Sequence, residues 1–183
     1  MIYNHDLRFA FIHAPKCAGV SLSNWLKENF EFQDYLDLDD IQFGGTVVER
    51  HRFVIPDEFK YHNIITCIRE PFERWESFYL YQSLQMGADL SFEEFTRQRL
   101  NWLPRQTHYT KQATYILRVD QLDSEVNKLP FARYPIPEIP RLNVSQNQLE
   151  YDRVKDRIKW TDELLALVTD HFREDCDMFR NLT

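Results

Sequence analysis

The stretch from Arg8 to Ser21 reads RFAFIHAPKCAGVS, and it decides the fold class. Its first six residues form a short apolar run, which predicts a buried strand. Pro15 and Gly19 interrupt the run, and residues 21–30 (SLSNWLKENF) then place their apolar side chains on one face of a helix. A strand, a tight turn and a helix in this order indicate the beginning of an alternating strand–helix fold.

The pattern continues along the rest of the chain. Residues 63–68 (NIITCI) and 113–119 (ATYILRV) predict two more core strands, and residues 46–49 a possible fourth. Helices are expected over residues 71–86, over 92–100 behind a capping box of Ser91 and Glu94, and from Thr161 to the C-terminus. Alternating strands and helices need crossover connections. We therefore expect a single α/β domain over residues 1–183, a P-loop-like three-layer fold with a mainly parallel central sheet flanked by helices.

Composition limits the classes of partner. The 183 residues are 43% hydrophobic and carry a formal net charge of −7, so a buried core is expected and the surface should repel polyanions such as nucleic acid. No apolar run approaches the roughly 20 residues of a membrane-spanning helix, and no secretory signal is recognisable. Three cysteines cannot all pair, which favours the reducing cytoplasm. The sequence does not indicate an oligomeric state.

The turn from Pro15 to Ser21 has the chemistry of an anion site. A tight turn that leads into a helix directs backbone N–H groups into one concavity, and the helix N-terminus adds about half a positive charge. Lys16 supplies an ammonium group and Ser21 a hydroxyl donor, which suits a phosphate or a phosphosulfate. The order differs from the usual nucleoside-triphosphate loop, because the lysine precedes the glycine. The alternative interpretation is an ordinary strand–helix turn with a surface lysine.

A second motif follows the strand at residues 63–68 and reads REPFERWES over residues 69–77. Arg69 leaves the end of the strand, and Ser77 lies about two turns into the next helix. A guanidinium and a hydroxyl in these places suit the binding of one phosphate from two sides. Arg74 is expected to form a surface ion pair with Glu70 or Glu73 rather than to contact a ligand.

These two motifs, in this order, resemble those of the sulfotransferases that use 3′-phosphoadenosine 5′-phosphosulfate (PAPS), especially the carbohydrate sulfotransferases. The matching segments are residues 13–21 (HAPKCAGVS) and 69–79 (REPFERWESFY), with weaker likenesses at residues 142–145 (LNVS) and 172–179 (FREDCDMF). The resemblance implies that the 3′-phosphate is bound by Arg69 and Ser77. It also implies that the 5′-phosphosulfate is bound by six consecutive residues, namely Lys16, Cys17, Ala18, Gly19, Val20 and Ser21. Val20 departs from the family, which usually has a hydroxyl side chain at that position.

The resemblance further implies an activity, the transfer of a sulfuryl group from PAPS to an acceptor hydroxyl on a small molecule or glycan, with carbohydrate favoured. Lys16 would stabilise the leaving group, and no metal would be required. A histidine between the two motifs is the usual base of the similar enzymes, which assigns this role to His51, with His13 beside the loop in reserve.

Two other classes of function stay open. A nucleotide or small-molecule kinase of P-loop-like architecture would need ATP and Mg²⁺, with a lysine after the glycines and an acidic strand end for the metal. Neither feature is evident in the sequence. A non-catalytic nucleotide-binding module would keep the pocket without the chemistry, and Val20 together with the unproven base keeps this alternative open.

Overall fold

A computed structural model describes residues 1–35, 54–142 and 149–182 of the chain. The strands are β1 (Ile2–Asn4), β2 (Phe9–Ile12), β3 (Gln33–Asp34), β4 (Asn63–Ile68) and β5 (Tyr115–Arg118). The α-helices are α1 (Gly19–Phe30), α2 (Pro71–Leu84), α3 (Phe92–Arg99), α4 (Thr107–Thr110), α5 (Leu122–Glu125), α6 (Tyr151–Lys155), α7 (Asp162–His171) and α8 (Arg173–Asn181). Single 3₁₀ turns cover Asp57–Phe59, Leu100–Trp102, Val119–Gln121 and Val126–Lys128.

Within the described residues, five strands form one mixed sheet in the order β3-β1-β2-β4-β5. Of the strand pairs in this part of the chain, only β2–β4 and β4–β5 are parallel, because β1 runs antiparallel to both β2 and β3. The α/β class is confirmed, but the predicted P-loop-like three-layer fold with a mainly parallel central sheet flanked by helices is wrong.

The reason for this difference lies in the first nine residues. Residues 5–8 form a turn in which the Asn4 side-chain oxygen accepts the Leu7 N–H at 2.9 Å and the His5 carbonyl accepts the Arg8 N–H at 3.1 Å. Arg8 completes the turn in the left-handed region, at φ 58°. A short turn of this kind joins antiparallel strands, whereas parallel strands need a long crossover. At three residues, β1 is too short to show a periodicity in the sequence.

The parallel part of the sheet agrees with the sequence. β4 covers the predicted residues 63–68, and β2 and β5 lie within the predicted runs. β4 is the central strand of the three and is almost fully buried, which accounts for its continuous apolar sequence. Because β2, β4 and β5 are parallel neighbours, their carboxyl ends lie at the same edge of the sheet. The segment that begins at His13 therefore starts at this edge.

Several helix ends follow their predicted caps. Ser91 and Glu94 form the predicted capping box, and the Thr161 hydroxyl accepts the Leu164 N–H. The predicted C-terminal helix is two helices, α7 and α8, which are separated at Phe172.

The backbone packs into two compact units, each built from two segments of the chain. The first unit comprises Met1–Ile68 and His108–Leu142, as far as these are described, and its core surrounds the sheet with Phe11, Trp25 and Ile65. The second comprises Arg69–Thr107 and Asn143–Thr183, again within the described residues, and its core includes Trp75 and Phe92. The single domain stays a prediction. Within the described ranges, no helix is long and apolar enough to cross a membrane.

Candidate functional site

The loop between β2 and α1 has an unusual backbone. Lys16 and Ala18 both adopt the left-handed region, with φ angles of 65° and 54°, although neither is a glycine. Each such residue costs about 1–2 kcal/mol. Left-handed residues that alternate with ordinary ones turn neighbouring N–H groups towards one side and form a concavity for anions. Strain of this kind persists where the surrounding structure holds it, and it is typical of ligand-binding segments.

The N-terminus of α1 adds to this potential anion site. Ala18 is the N-cap residue, and in the described part of the chain no side chain accepts a hydrogen bond at this cap. The first turn, Gly19-Val20-Ser21, also contains no acidic residue. The first N–H groups of a helix have no intrahelical acceptor, and the helix dipole makes this end positive. Within the described ranges, a twelve-residue helix without a side-chain cap therefore follows the loop that carries Lys16.

Two of the six residues assigned from the sequence to the 5′-phosphosulfate, Cys17 and Ser21, are engaged in the fold. The Cys17 N–H donates to the Ala14 carbonyl at 3.3 Å, and the Cys17 side chain is completely buried. The Ser21 hydroxyl oxygen accepts the Leu142 N–H at 3.0 Å, and Ser21 is 8% exposed. A hydroxyl that accepts one bond can still donate its own hydrogen, so Ser21 keeps the capacity the sequence assigned to it. Cys17 is the least suited of these six residues to contact a ligand.

Gly19 is required because the His13 side chain packs against it, and not because its backbone conformation needs a glycine. A methyl group added to Gly19 would lie 1.7 Å from the Cδ2 atom and 1.9 Å from the Nε2 atom of His13. The imidazole ring therefore packs directly on the first residue of α1, and only a glycine leaves room for it. This contact holds His13 beside the loop, in the position expected of the reserve base.

The Cys67 thiol on β4 is buried in the core of the first unit. Burial, followed by the neighbouring Cys17 and Glu125, raises the pKa of Cys67 well above its usual range. A thiol of this kind stays protonated, and the thiolate is the nucleophile. We infer a packing role for Cys67 and for the equally buried Cys17.

In the second unit, Arg69 opens the second motif with its guanidinium partly exposed. The Arg69 Nε lies 3.3 Å from the Glu73 carboxylate, one helical turn away, and Glu73 is well exposed. Glu70 caps α2 by accepting the Glu73 N–H at 2.8 Å. Burial raises the pKa of Glu70, against the lowering effect of the N–H groups of Glu73 and Phe72. Ser77 lies on α2 and is half-buried.

The expectation for Arg74 is wrong. Its side chain is 1% exposed, and its Nη1 atom lies 3.7 Å from a carboxylate oxygen of Asp175, which is fully buried. The second guanidinium nitrogen donates to the Pro104 carbonyl at 2.9 Å. Arg74 is thus part of a buried structural pair and not of a surface pair with Glu70 or Glu73. No local sequence pattern indicates this pair, because the partner lies on α8, about 100 residues further along the chain.

Sequence reasoning also missed Gln106, a fully buried residue whose side chain hydrogen-bonds the backbone of Arg69. In the sequence, Asp175 is marked only by its place in the segment at residues 172–179 that resembles the family's terminal helix. A buried polar side chain is rare unless it is paired, so both residues mark constrained positions.

Other sequence-derived candidates cannot be placed. His51 lies outside the described residues, and so do the possible strand at 46–49 and residues 143–145 of the LNVS segment. In the ranges that the structure describes, no three histidine, cysteine, aspartate or glutamate side chains are grouped closely enough to hold a metal ion. Residues 16–21 belong to the first unit, and Arg69 and Ser77 to the second.

Comparisons with known proteins add no relative. No family model, no curated protein and no solved structure matches the chain. The similarity to PAPS-dependent sulfotransferases therefore depends on the motifs in the sequence alone.

Proposed function

We propose that the chain is a sulfotransferase that transfers a sulfuryl group from PAPS to an acceptor hydroxyl, with a carbohydrate as the favoured acceptor. The observation that carries the proposal is the loop at residues 13–18. Its two left-handed residues and the N-terminus of α1, which has no side-chain cap among the described residues, offer backbone donors to an anion beside the ammonium-bearing Lys16. An ordinary strand–helix turn has no need of two strained non-glycine residues in three positions.

Sulfuryl transfer requires that the negative charge on the leaving group be neutralised. The acceptor oxygen forms a bond to sulfur, the bond between sulfur and the bridging oxygen breaks, and the electron pair stays on the 5′-phosphate of 3′,5′-phosphoadenosine. Lys16 is proposed to stabilise this phosphate, with loop N–H groups and Ser21 as further donors. The acceptor's proton goes to a base, for which the resemblance indicates His51.

The second motif is assigned from the sequence to the 3′-phosphate, through Arg69 and Ser77. The existing partner of Arg69, the exposed Glu73, is compatible with this role. An exposed ion pair contributes about 0–1 kcal/mol, so a phosphate dianion can replace it. A charge-assisted bond to a phosphate is worth about 1.5–3 kcal/mol, or roughly ten- to hundred-fold in affinity.

The first experiment is therefore a calorimetric comparison of nucleotides. We expect 3′,5′-phosphoadenosine to bind roughly ten- to hundred-fold more tightly than 5′-AMP, and Arg69→Met to abolish most of this difference. Arg180→Met is the matched control, because Arg180 also pairs with a surface carboxylate, that of Asp177. Equal affinities in the wild-type chain contradict the proposal. Preferential binding of ATP with Mg²⁺ indicates the kinase alternative instead.

A further inference from the structure

The side chain of Gln106 pairs with the backbone of Arg69 at two points. Its Oε1 atom accepts the Arg69 N–H at 2.7 Å, and its Nε2 atom donates to the Arg69 carbonyl at 2.9 Å. These two bonds fix which end of the amide is oxygen and which is nitrogen. Gln106 thus replaces the partner that a neighbouring strand would provide, at the residue that directly follows β4 in the chain.

Gln106 is itself held by a buried carboxylate. The two oxygens of Asp175 accept the backbone N–H groups of Gln106 at 2.8 Å and of Thr107 at 3.0 Å. The Arg74 guanidinium, 3.7 Å away, supplies the opposite charge. Gln106, Asp175 and Arg74 are each at most 1% exposed, so none of these groups exchanges its partners for water.

The same arrangement leaves the rest of Arg69 adaptable. Within the described residues its guanidinium pairs with one carboxylate, that of Glu73, and both side chains are solvent-accessible. A long side chain with a fixed backbone and a replaceable surface partner can reorient its head towards an incoming anion. Its reach and direction are then set by where the backbone is held.

We propose that Gln106 is a positioning residue for Arg69, and that it sets the selectivity of the second motif for a ligand with a 3′-phosphate. This inference rests on the proposed function. Gln106 does not touch the nucleotide in this role. Loss of its two hydrogen bonds releases the Arg69 backbone and misplaces the guanidinium, while Arg74 and Asp175 keep their pairing.

The test variant is Gln106→Met, which keeps the buried volume and removes both hydrogen bonds to Arg69. The matched control is Thr96→Val. Thr96 is equally buried and accepts a hydrogen bond from the Trp75 indole at 2.9 Å in the same unit, but it has no bond to Arg69. Asp175 is a poor test site, because its removal takes away the counter-charge of the buried Arg74 and destabilises the fold.

Two measurements are made on wild type and both variants. The first is the ratio of dissociation constants for 5′-AMP and 3′,5′-phosphoadenosine. The second is hydrogen exchange at the Arg69 amide, which needs no ligand. In Gln106→Met we expect the ratio to fall about tenfold and the Arg69 amide to exchange about tenfold faster, as the loss of one buried hydrogen bond implies. Thr96→Val should lower the unfolding midpoint and leave both quantities at their wild-type values.

The outcomes separate the two proposals. An unchanged ratio in Gln106→Met, with a selective wild type, overturns the positioning role and leaves the sulfotransferase proposal standing. Equal loss of selectivity in Thr96→Val also overturns it, because general loosening then explains the effect. A wild type without selectivity contradicts the proposed function. In that case hydrogen exchange at the Arg69 amide decides whether Gln106 positions Arg69. An exchange rate in Gln106→Met that equals the wild-type rate overturns the positioning role as well.

Discussion

Replacing Gly19 by alanine is the most direct test of the loop geometry. The added methyl group would lie 1.7 to 2.2 Å from three atoms of the His13 ring, including Cγ at the base of the imidazole. A rotation of the ring about the Cβ–Cγ bond leaves Cγ in place and therefore does not remove this overlap. Either His13 must adopt another rotamer or the first turn of α1 must shift.

The magnitude follows from two opposing effects. Overpacking of this kind costs about 1–3 kcal/mol. The replacement of glycine by alanine within a helix favours folding by up to about 1 kcal/mol, and less at the first helical position. The φ angle of Gly19 is not in the left-handed region, so no backbone strain is added. We expect Gly19→Ala to lower the free energy of unfolding by about 1–2 kcal/mol.

The assay is urea denaturation of four proteins: wild type, Gly19→Ala, His13→Ala and the double variant. Without the imidazole the methyl group has space, so Gly19→Ala in the His13→Ala background should be neutral or stabilising by up to about 1 kcal/mol. The coupling energy between the two sites should then be about 1–3 kcal/mol. An equal cost of Gly19→Ala in both backgrounds would refute the close packing of His13 on the helix start.

Two further predictions concern Lys16 and His62. Lys16→Met keeps an unbranched side chain of similar length and removes its charge. If Lys16 stabilises the leaving group, kcat with PAPS and a surrogate hydroxyl acceptor should fall about 10²–10³-fold. The affinity for 3′,5′-phosphoadenosine should change by less than about tenfold. A variant with normal turnover and poor affinity would make Lys16 only an anchor. Burial, then the charges of His5 and Arg8, lowers the pKa of His62 from 6.5, against the raising effect of Glu58. The unfolded chain therefore binds this proton first, and stability should decrease as pH falls from about 6.5 towards the lowered pKa. His62→Gln should reduce the slope of stability against pH, measured by thermal unfolding. His171, whose pKa is lowered chiefly by burial, contributes part of the slope that remains. An unchanged slope in His62→Gln contradicts the assignment.

Elements that are specified by neighbouring side chains can be predicted from the sequence. β4 and the Ser91–Glu94 capping box are recognisable because the side chains that specify them lie within a few residues of one another. The same holds for the loop at residues 13–18, because Pro15 within it and Gly19 directly after it mark a turn between a strand and a helix. Its role as an anion site stays a prediction, because that role depends on a ligand.

Features that depend on partners far apart in the chain are visible only in the folded structure. The antiparallel edge of the sheet is formed by β1 and β3, which are too short to carry a periodic pattern, so pairing with β2 rather than propensity specifies them. Arg74 is surrounded in the sequence by surface-like glutamates, yet it is buried because Asp175 neutralises it. Gln106 belongs to no recognisable sequence motif. Desolvation makes an unpaired buried charge or amide costly, so these residues become interpretable only when the fold brings their partners within hydrogen-bonding distance.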